Sequence, residues 1–256
     1  MMRLIPSLLL TPALLLAGAA HAQSFSDTLA ETFAGETKLN LNLYGFAADV
    51  DGHISNQQIK YKVDQPFSDT IHHLDKVFMG HLDLSKGRWG VYLDKQLVKT
   101  SESKKPFNIP VAINTRLDQT SYGAYYQAYR SPETTQRNLP RLVIEPTVGV
   151  HYTKADAKLA AFGQSIKGQV KWHEIFWGAR ARYNFDSPWN LAAEATTGEH
   201  ETISVHAYVG YNIPVFERHL NLRVGYRYFR QDYRANNFHW DVRQRGPVIG
   251  INLPIF

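Results

Sequence analysis

Between Leu142 and Tyr152 alternate residues fall into two unlike sets. Leu142, Ile144, Pro146, Val148, Val150 and Tyr152 form one face, and Val143, Glu145, Thr147, Gly149 and His151 the other. A period of two marks a β-strand whose faces meet different surroundings. The pattern returns along the chain in pieces of about ten residues, the length an inclined strand needs to cross a bilayer. In hydrocarbon every backbone N–H and C=O must pair within the protein, so strands of this kind close into a barrel with the apolar face outward.

The pieces are read as follows. Leu39, Leu41, Leu43, Gly45 and Ala47 alternate with Asn40, Asn42, Tyr44 and Phe46, and Phe78, Gly80, Leu82 and Leu84 alternate with Met79, His81 and Asp83. The turn Ser85 to Arg88 then leads into Trp89, Val91 and Leu93. Later strands carry Tyr122, Ala124, Tyr126 and Ala128; Ile175, Trp177, Ala179, Ala181 and Tyr183; Trp189, Leu191, Ala193 and Ala195; Ile203, Val205, Ala207 and Val209; and Leu220, Leu222, Val224 and Tyr226. A last strand runs from about His239 to the end. The expected fold class is all-β, a transmembrane antiparallel up-and-down β-barrel of ten strands, with eight or twelve as the neighbouring even counts. Lys95 breaks the pattern by sharing parity with Trp89, Val91 and Leu93, which leaves the register of the strand at 89–99 open.

The first 22 residues read as a cleavable export signal: Arg3, an apolar stretch from Leu4 to Leu16, and a small-residue run in which Ala20 and Ala22 suit a signal peptidase. An uncleaved anchor is the alternative, but the apolar part is short for a span. Residues 23–37 read as a periplasmic tail and 38–256 as the barrel, with a long first outer loop at 51–75 and further loops at 101–112 and 154–169. No later run is apolar enough for a membrane helix. The chain has no cysteine, which excludes thiolate chemistry and disulfide support. Its net charge of +5 comes without a basic tract, and nucleic acid is set aside as a partner.

Trp89 and Trp189 directly follow short turns, and Tyr183 and Tyr211 directly precede them. These are the places of an interfacial aromatic girdle. Ordinary strand propensity is the alternative for the same residues.

Three segments carry a resemblance: Phe67-Ser68-Asp69-Thr70-Ile71 with Leu74 and Phe78-Met79-Gly80; Lys86-Gly87-Arg88-Trp89-Gly90; and Gly246-Pro247-Val248-Ile249-Gly250. With Gly225-Tyr226-Arg227-Tyr228 they resemble a family of largely uncharacterised Gram-negative outer-membrane β-barrel proteins. The resemblance implies location in the cell outer membrane and a barrel fold; the family supplies no activity or catalytic residues to carry over. The usual terminus of such barrels, read by the barrel-assembly machinery, alternates back from a final aromatic. Phe256 is present, but Pro254 stands third from last, and Ile249, Ile251 and Leu253 keep the alternation one residue out of phase.

On the inward face the strands place charges of both signs: Asp94, Glu145, Glu174, Arg180, Arg182, Glu194, Arg223 and Arg227, with His206. Charges inside a narrow barrel must be paired, so a salt-bridged filling is expected. A charged constriction for small solutes is the alternative. Ser204 and His206 share that face, which keeps a lipid or peptide hydrolase as a third reading. His72, His73, Asp75, His81 and Asp83 have no recognisable metal-ligand spacing, and neither metal nor cofactor is expected. Lys99, Lys104, Lys105, Lys154, Lys158 and Lys167 fall in outer loops, near the phosphates of lipopolysaccharide. The function expected is thus that of a monomeric outer-membrane barrel with a filled lumen, acting structurally or through its outer loops; its partners are membrane lipid, lipopolysaccharide and, during biogenesis, the assembly machinery.

Overall fold

The computed structural model describes residues 34–55, 60–104, 111–161, 164–215, 218–235 and 238–255. The segment read as an export signal, with Ala20 and Ala22, most of residues 23–37, Lys105 and Phe256 lie outside the described residues.

Thirteen β-segments form one sheet that closes on itself. β1 (Thr37–Phe46) and β2 (Asp49–Ser55) are two halves of one barrel strand, since both pair with β13 (Phe238–Pro254) in continuous register, from Asn40↔Pro254 to Ser55↔His239. Around the wall β1 is followed by β4 (Leu74–Lys86), β5 (Trp89–Lys104), β6 (Val111–Tyr126), β8 (Leu142–Ala161), β9 (Gln164–Asn184), β10 (Trp189–Gly198), β11 (Ile203–Val215), β12 (Arg218–Ala235) and β13. Every neighbouring pair is antiparallel, so the barrel has ten strands. Both Thr37 and Pro254 stand at one end of the wall, here called the near end, together with the turn at Gly87, which adopts φ 60°.

The seam of the barrel depends on a glycine. Where β1 breaks into β2 at Ala47 and Ala48, the Ala47 N–H donates to the Pro247 carbonyl at 3.0 Å. A Cβ on Gly246 would lie 1.9 Å from the Ala47 carbonyl oxygen, so only glycine lets the two strands approach there.

Among the described residues 23 polar or charged side chains are buried against 11 hydrophobic ones, while Val148, Ile175, Trp177, Val209, Val224 and Ile249 are exposed. That inverts a water-soluble protein and matches a wall with lipid outside. Trp89, Trp189 and Tyr211 face outward at the near end; Trp89 packs on Tyr126, Trp189 on Tyr211, and Tyr183 on Phe185. At the far end the apolar face gives way to a ring of charge at Lys95 and Asp118, Lys154 and Lys171, and Arg243 and Asp51. Lys95 faces outward, in register with the apolar face of its strand. It sits at the upper border of the belt, where it pairs with Asp118 and donates to Thr120 Oγ1 at 2.8 Å.

The stretches expected as outer loops carry much more strand than the alternation indicated. Residues 51–75 hold the end of β2, the returning strand β3 (Lys60–Gln65), which pairs with β2, and a short helix α1 (Phe67–His72) begun by Pro66. The described residues of the 101–112 and 154–169 stretches are the upper parts of β5, β6, β8 and β9, paired as far as Lys104↔Val111 and Ala161↔Gln164. Above the membrane both faces meet water, so the side-chain pattern fades while the backbone ladder continues. Residues 127–141 at the near end hold β7 (Tyr129–Arg130), which pairs with β8, and a bridge between Thr134 and Pro140.

Because Val148 lies outward near the middle of the apolar run Leu142 to Tyr152 of β8, Val148→Arg is expected to destabilise the barrel in phospholipid vesicles by about 2–4 kcal/mol, read from denaturant unfolding. Lys62→Arg, well above the belt, should leave the midpoint unchanged.

Candidate functional site

The interior of the barrel is layered, and each layer follows from register. On β9 Arg180 stands directly between Glu145 of β8 and Glu194 of β10. Its guanidinium reaches both, at 3.5 and 3.7 Å, and crosses the lumen to Asp83 of β4 at 3.1 Å. The Tyr125 ring lies 4.2 Å from the guanidinium carbon, and the Tyr125 hydroxyl donates to Asp83 at 2.7 Å. One cation therefore ties three strands and a facing wall.

A second node is Arg227 of β12. It lies 3.6 Å from Asp94 of β5 across the lumen and donates to the Tyr44 hydroxyl at 3.3 Å, while that hydroxyl donates to the Asp94 carboxylate at 2.9 Å. With its amide oxygen turned toward β12, Gln96 also accepts from both terminal nitrogens of Arg227, at 2.9 and 3.0 Å. His81 connects the nodes, lying between Asp94 (3.5 Å) and Asp83 (3.9 Å), and His206 contacts Glu194 at 3.7 Å while standing opposite Arg227 on the neighbouring strand. The charges thus form a circuit around the lumen. It encloses a cavity of about 130 Å³, into whose surroundings Arg180 Nη1, Arg227 Nε and His206 Nδ1 bring polar atoms without a partner among the described residues. A cavity with this lining is wet.

Above the circuit His151 is stacked on Phe176 at 4.1 Å and meets the edge of Phe229 at 5.4 Å. Then comes an amide and hydroxyl layer, in which Gln244 donates to Gln119 at 3.1 Å, Thr153 to Gln231 at 3.0 Å and Thr202 to Glu174 at 3.0 Å. From the height of that layer toward the far end the bore holds an apolar cluster. Trp172 of β9 stacks on Tyr233 of β12 at 4.8 Å and packs against Trp240 of β13 at 5.3 Å, with Val242, Phe238 and Leu117 around them. The short β10–β11 hairpin lets this contact form: β10 stops at Gly198, opposite Phe176, so the upper parts of β9 and β12 have no intervening strand. The exposed edge of β9 is capped by the 3-10 turn Glu199–Glu201, where Glu199 accepts from the Ile175 N–H at 2.9 Å.

Of the inward charges read from the sequence, Asp94, Glu145, Arg180, Glu194, His206 and Arg227 meet in the circuit. Arg223 does not; it donates to the side-chain oxygens of Asn221 (2.7 Å) and Asn42 (3.0 Å). Arg182 lines the near side of the same cavity. Glu174, fully buried, belongs to the layer above, with Thr202 and Gln231. The sequence reading left out Asp83, His81, Tyr44 and Tyr125. His81 and Asp83 share the face of the buried Met79, which places them inward. Among the described residues no cluster of His, Asp or Glu is arranged to hold a metal.

The serine–histidine pair that forms is a different one from Ser204 and His206. Ser121 Oγ lies 2.7 Å from His151 Nδ1. His151 Nε2 has no partner among the described residues, so no acid orients the ring as a hydrolase requires.

Replacing Arg180 by Leu leaves three carboxylates facing one another without their cation. The expected cost is about 3–5 kcal/mol in vesicle unfolding experiments, and most of it should return when Asp83→Asn, Glu145→Gln and Glu194→Gln are added. Equal losses in the single and the combined variants would show that the circuit is not what holds these strands together.

No family model and no curated protein matches the chain. Among solved structures it overlays on the attachment invasion locus protein Ail of Yersinia pestis, crystallised with the heparin analogue sucrose octasulfate, at 10% identity and TM-score 0.40 over 84% of this chain and 99% of that one. It also overlays on Neisserial surface protein A, at 12% identity and TM-score 0.34 over 85% and 96%, and on the translocator domain of the autotransporter NalP of Neisseria meningitidis, at 11% identity and TM-score 0.33 over 92% and 96%. Overlays this loose say nothing about activity.

Proposed function

We propose that this chain is an outer-membrane protein of the family its motifs resemble, and that its filled barrel is a rigid mount for the structure at the far end, which acts by surface interaction and does not pass solutes. The far end, opposite the two chain termini, is the extracellular one, as in single-chain bacterial barrels. The observation that carries the reading is that the lumen is occupied at two heights: by the charge circuit around Arg180 and Arg227, and by the cluster around Trp172 and Trp240. A selective constriction needs a ring of one sign, whereas carboxylates and guanidinium groups here meet across the lumen. The motif residues suit such a mount. Phe67 to Ile71 form α1 at the far end, Lys86 to Gly90 the tight near-end turn, and Gly246 to Gly250 the seam against β1.

Refolded into planar lipid bilayers, the barrel is expected to be electrically silent while keeping the heat-dependent gel mobility of a folded barrel. Steady discrete openings from the wild-type protein would sink the filled-lumen reading in favour of a narrow channel. Trp172→Ala with Trp240→Ala, combined with neutralisation of the Arg180 and Arg227 nodes, is the variant expected to open a measurable current.

A further inference from the structure

The charged ring above the apolar belt has two unlike halves. On the β12–β13–β2 side Arg230 stands opposite Arg243 and Asp232 opposite Asp241, but each arginine reaches an aspartate of the same wall. Arg230 donates to Asp241 at 3.0 and 3.2 Å, Arg234 to Asp232 at 3.1 Å, and Arg243 pairs with Asp51. That half is neutralised within the protein.

On the β4–β5–β6–β8–β9 side basic residues stand directly opposite one another with few carboxylates among them. Lys99 lies between Lys76 and Arg116, Lys154 faces Lys171, and Lys158 faces Lys167. Directly opposed like charges destabilise a β-ladder. Their parity puts them on the outer surface, in line with Leu93, Tyr122, Val150 and Ile175 and two to four positions of the same face beyond them toward the far end. Asp118 is already engaged by Lys95 and Arg116, and Asp156 by Lys154 at 3.6 Å. For Lys99, Lys158, Lys167 and Lys171 no carboxylate partner is present among the described residues. A wall that places unneutralised cations in opposed pairs at the edge of its lipid-facing belt is complete only with anions supplied from the membrane surface. Phosphates on lipid headgroups occupy that height, and each basic residue near such a surface adds attraction.

We propose that this face, from β5 to β9, binds the phosphate groups of an anionic glycolipid in the surrounding leaflet, with Lys99, Lys158, Lys167 and Lys171 as the principal contacts. The proposal rests on the bilayer placement argued above. It replaces the picture of lysines scattered in loops: these residues are held on paired strands at fixed spacing, and Lys171 joins them although it was not read from the sequence.

The test uses the full refolded barrel in phosphatidylcholine nanodiscs containing a bisphosphorylated lipid A or its dephosphorylated form, with bound glycolipid counted by native mass spectrometry. The variant Lys99→Gln, Lys158→Gln, Lys167→Gln, Lys171→Gln is expected to retain phosphorylated lipid at least about tenfold more weakly than wild type. The charge-matched control Lys38→Gln, Lys60→Gln, Lys62→Gln, Lys86→Gln should bind as wild type does. In micelles free of glycolipid the first variant is expected to melt higher than wild type, because the opposed charges are gone, and this separates lost binding from lost folding. Equal retention of the dephosphorylated lipid, an equal loss in the control variant, or a lower melting temperature for the first variant would each overturn the proposal. So would inorganic phosphate displacing the lipid, which would make this a simple anion site. Failure of the wild-type protein to enter nanodiscs at all would instead overturn the membrane placement.

Discussion

Closure of the backbone ladder in a medium that offers no hydrogen bonds is the constraint from which the rest of this structure follows. It obliges β1 to meet β13, and the meeting point carries the break at Ala47 and Ala48 with Gly246 beneath it. With ten strands, closure also fixes a bore narrow enough for an arginine on β9 to reach an aspartate on β4 across it, as Arg180 reaches Asp83. A charged side chain pointing into so small a bore has water on few sides. The interior is therefore stable only where opposite charges meet, and Arg180 with its three carboxylates is the strongest expression of that rule. Replacing such groups by apolar ones need not cost stability, whereas removing one partner does. The circuit is accordingly better understood as fixing which strands face one another than as a large net contribution to folding.

The wall's uneven height has its own consequences. β8 and β9 run to 20 and 21 residues, while β10 has only 10. Above the short hairpin the lumen would be open to the side, and the gap is filled by the stacking of Trp172 on Tyr233 and by Glu199 on the free N–H of Ile175. Long strands beside a short one thus yield both an apolar cluster and an exposed outer face on β8 and β9. The cluster and the basic face are opposite sides of the same strands: Trp172 points inward, and Lys171 next to it points outward.

Much of this was legible in the sequence because a period of two depends only on what lies on either side of the wall. Val143 and Glu145 could be placed inward, and Val148 and Ile175 outward, without knowing any partner strand. The information stopped where the surroundings become alike on both faces, so residues 154–169 read as loop although 154–161 and 164–169 remain paired. It stopped also at contacts across the lumen. Asp83 lies 97 positions from Arg180, and their meeting depends on the tilt and stagger of the closed sheet, which no single strand encodes. Lys95 looked anomalous because parity gives the face and not the height: it points the same way as Leu93, but from the rim of the belt.

Height is also what separates the two kinds of charge in this protein. An arginine at the level of Glu145 has to find its counter-charge inside the chain, since lipid surrounds the wall and the bore is small. A lysine a few residues higher, on the outer face, meets headgroups and water and can leave its counter-charge to the membrane. The interior circuit is closed upon itself for that reason, whereas the outer lysines of β8 and β9 stand in opposed pairs. The same chain can thus be rigid within and electrostatically incomplete without, and the incomplete part is the one turned toward its surroundings.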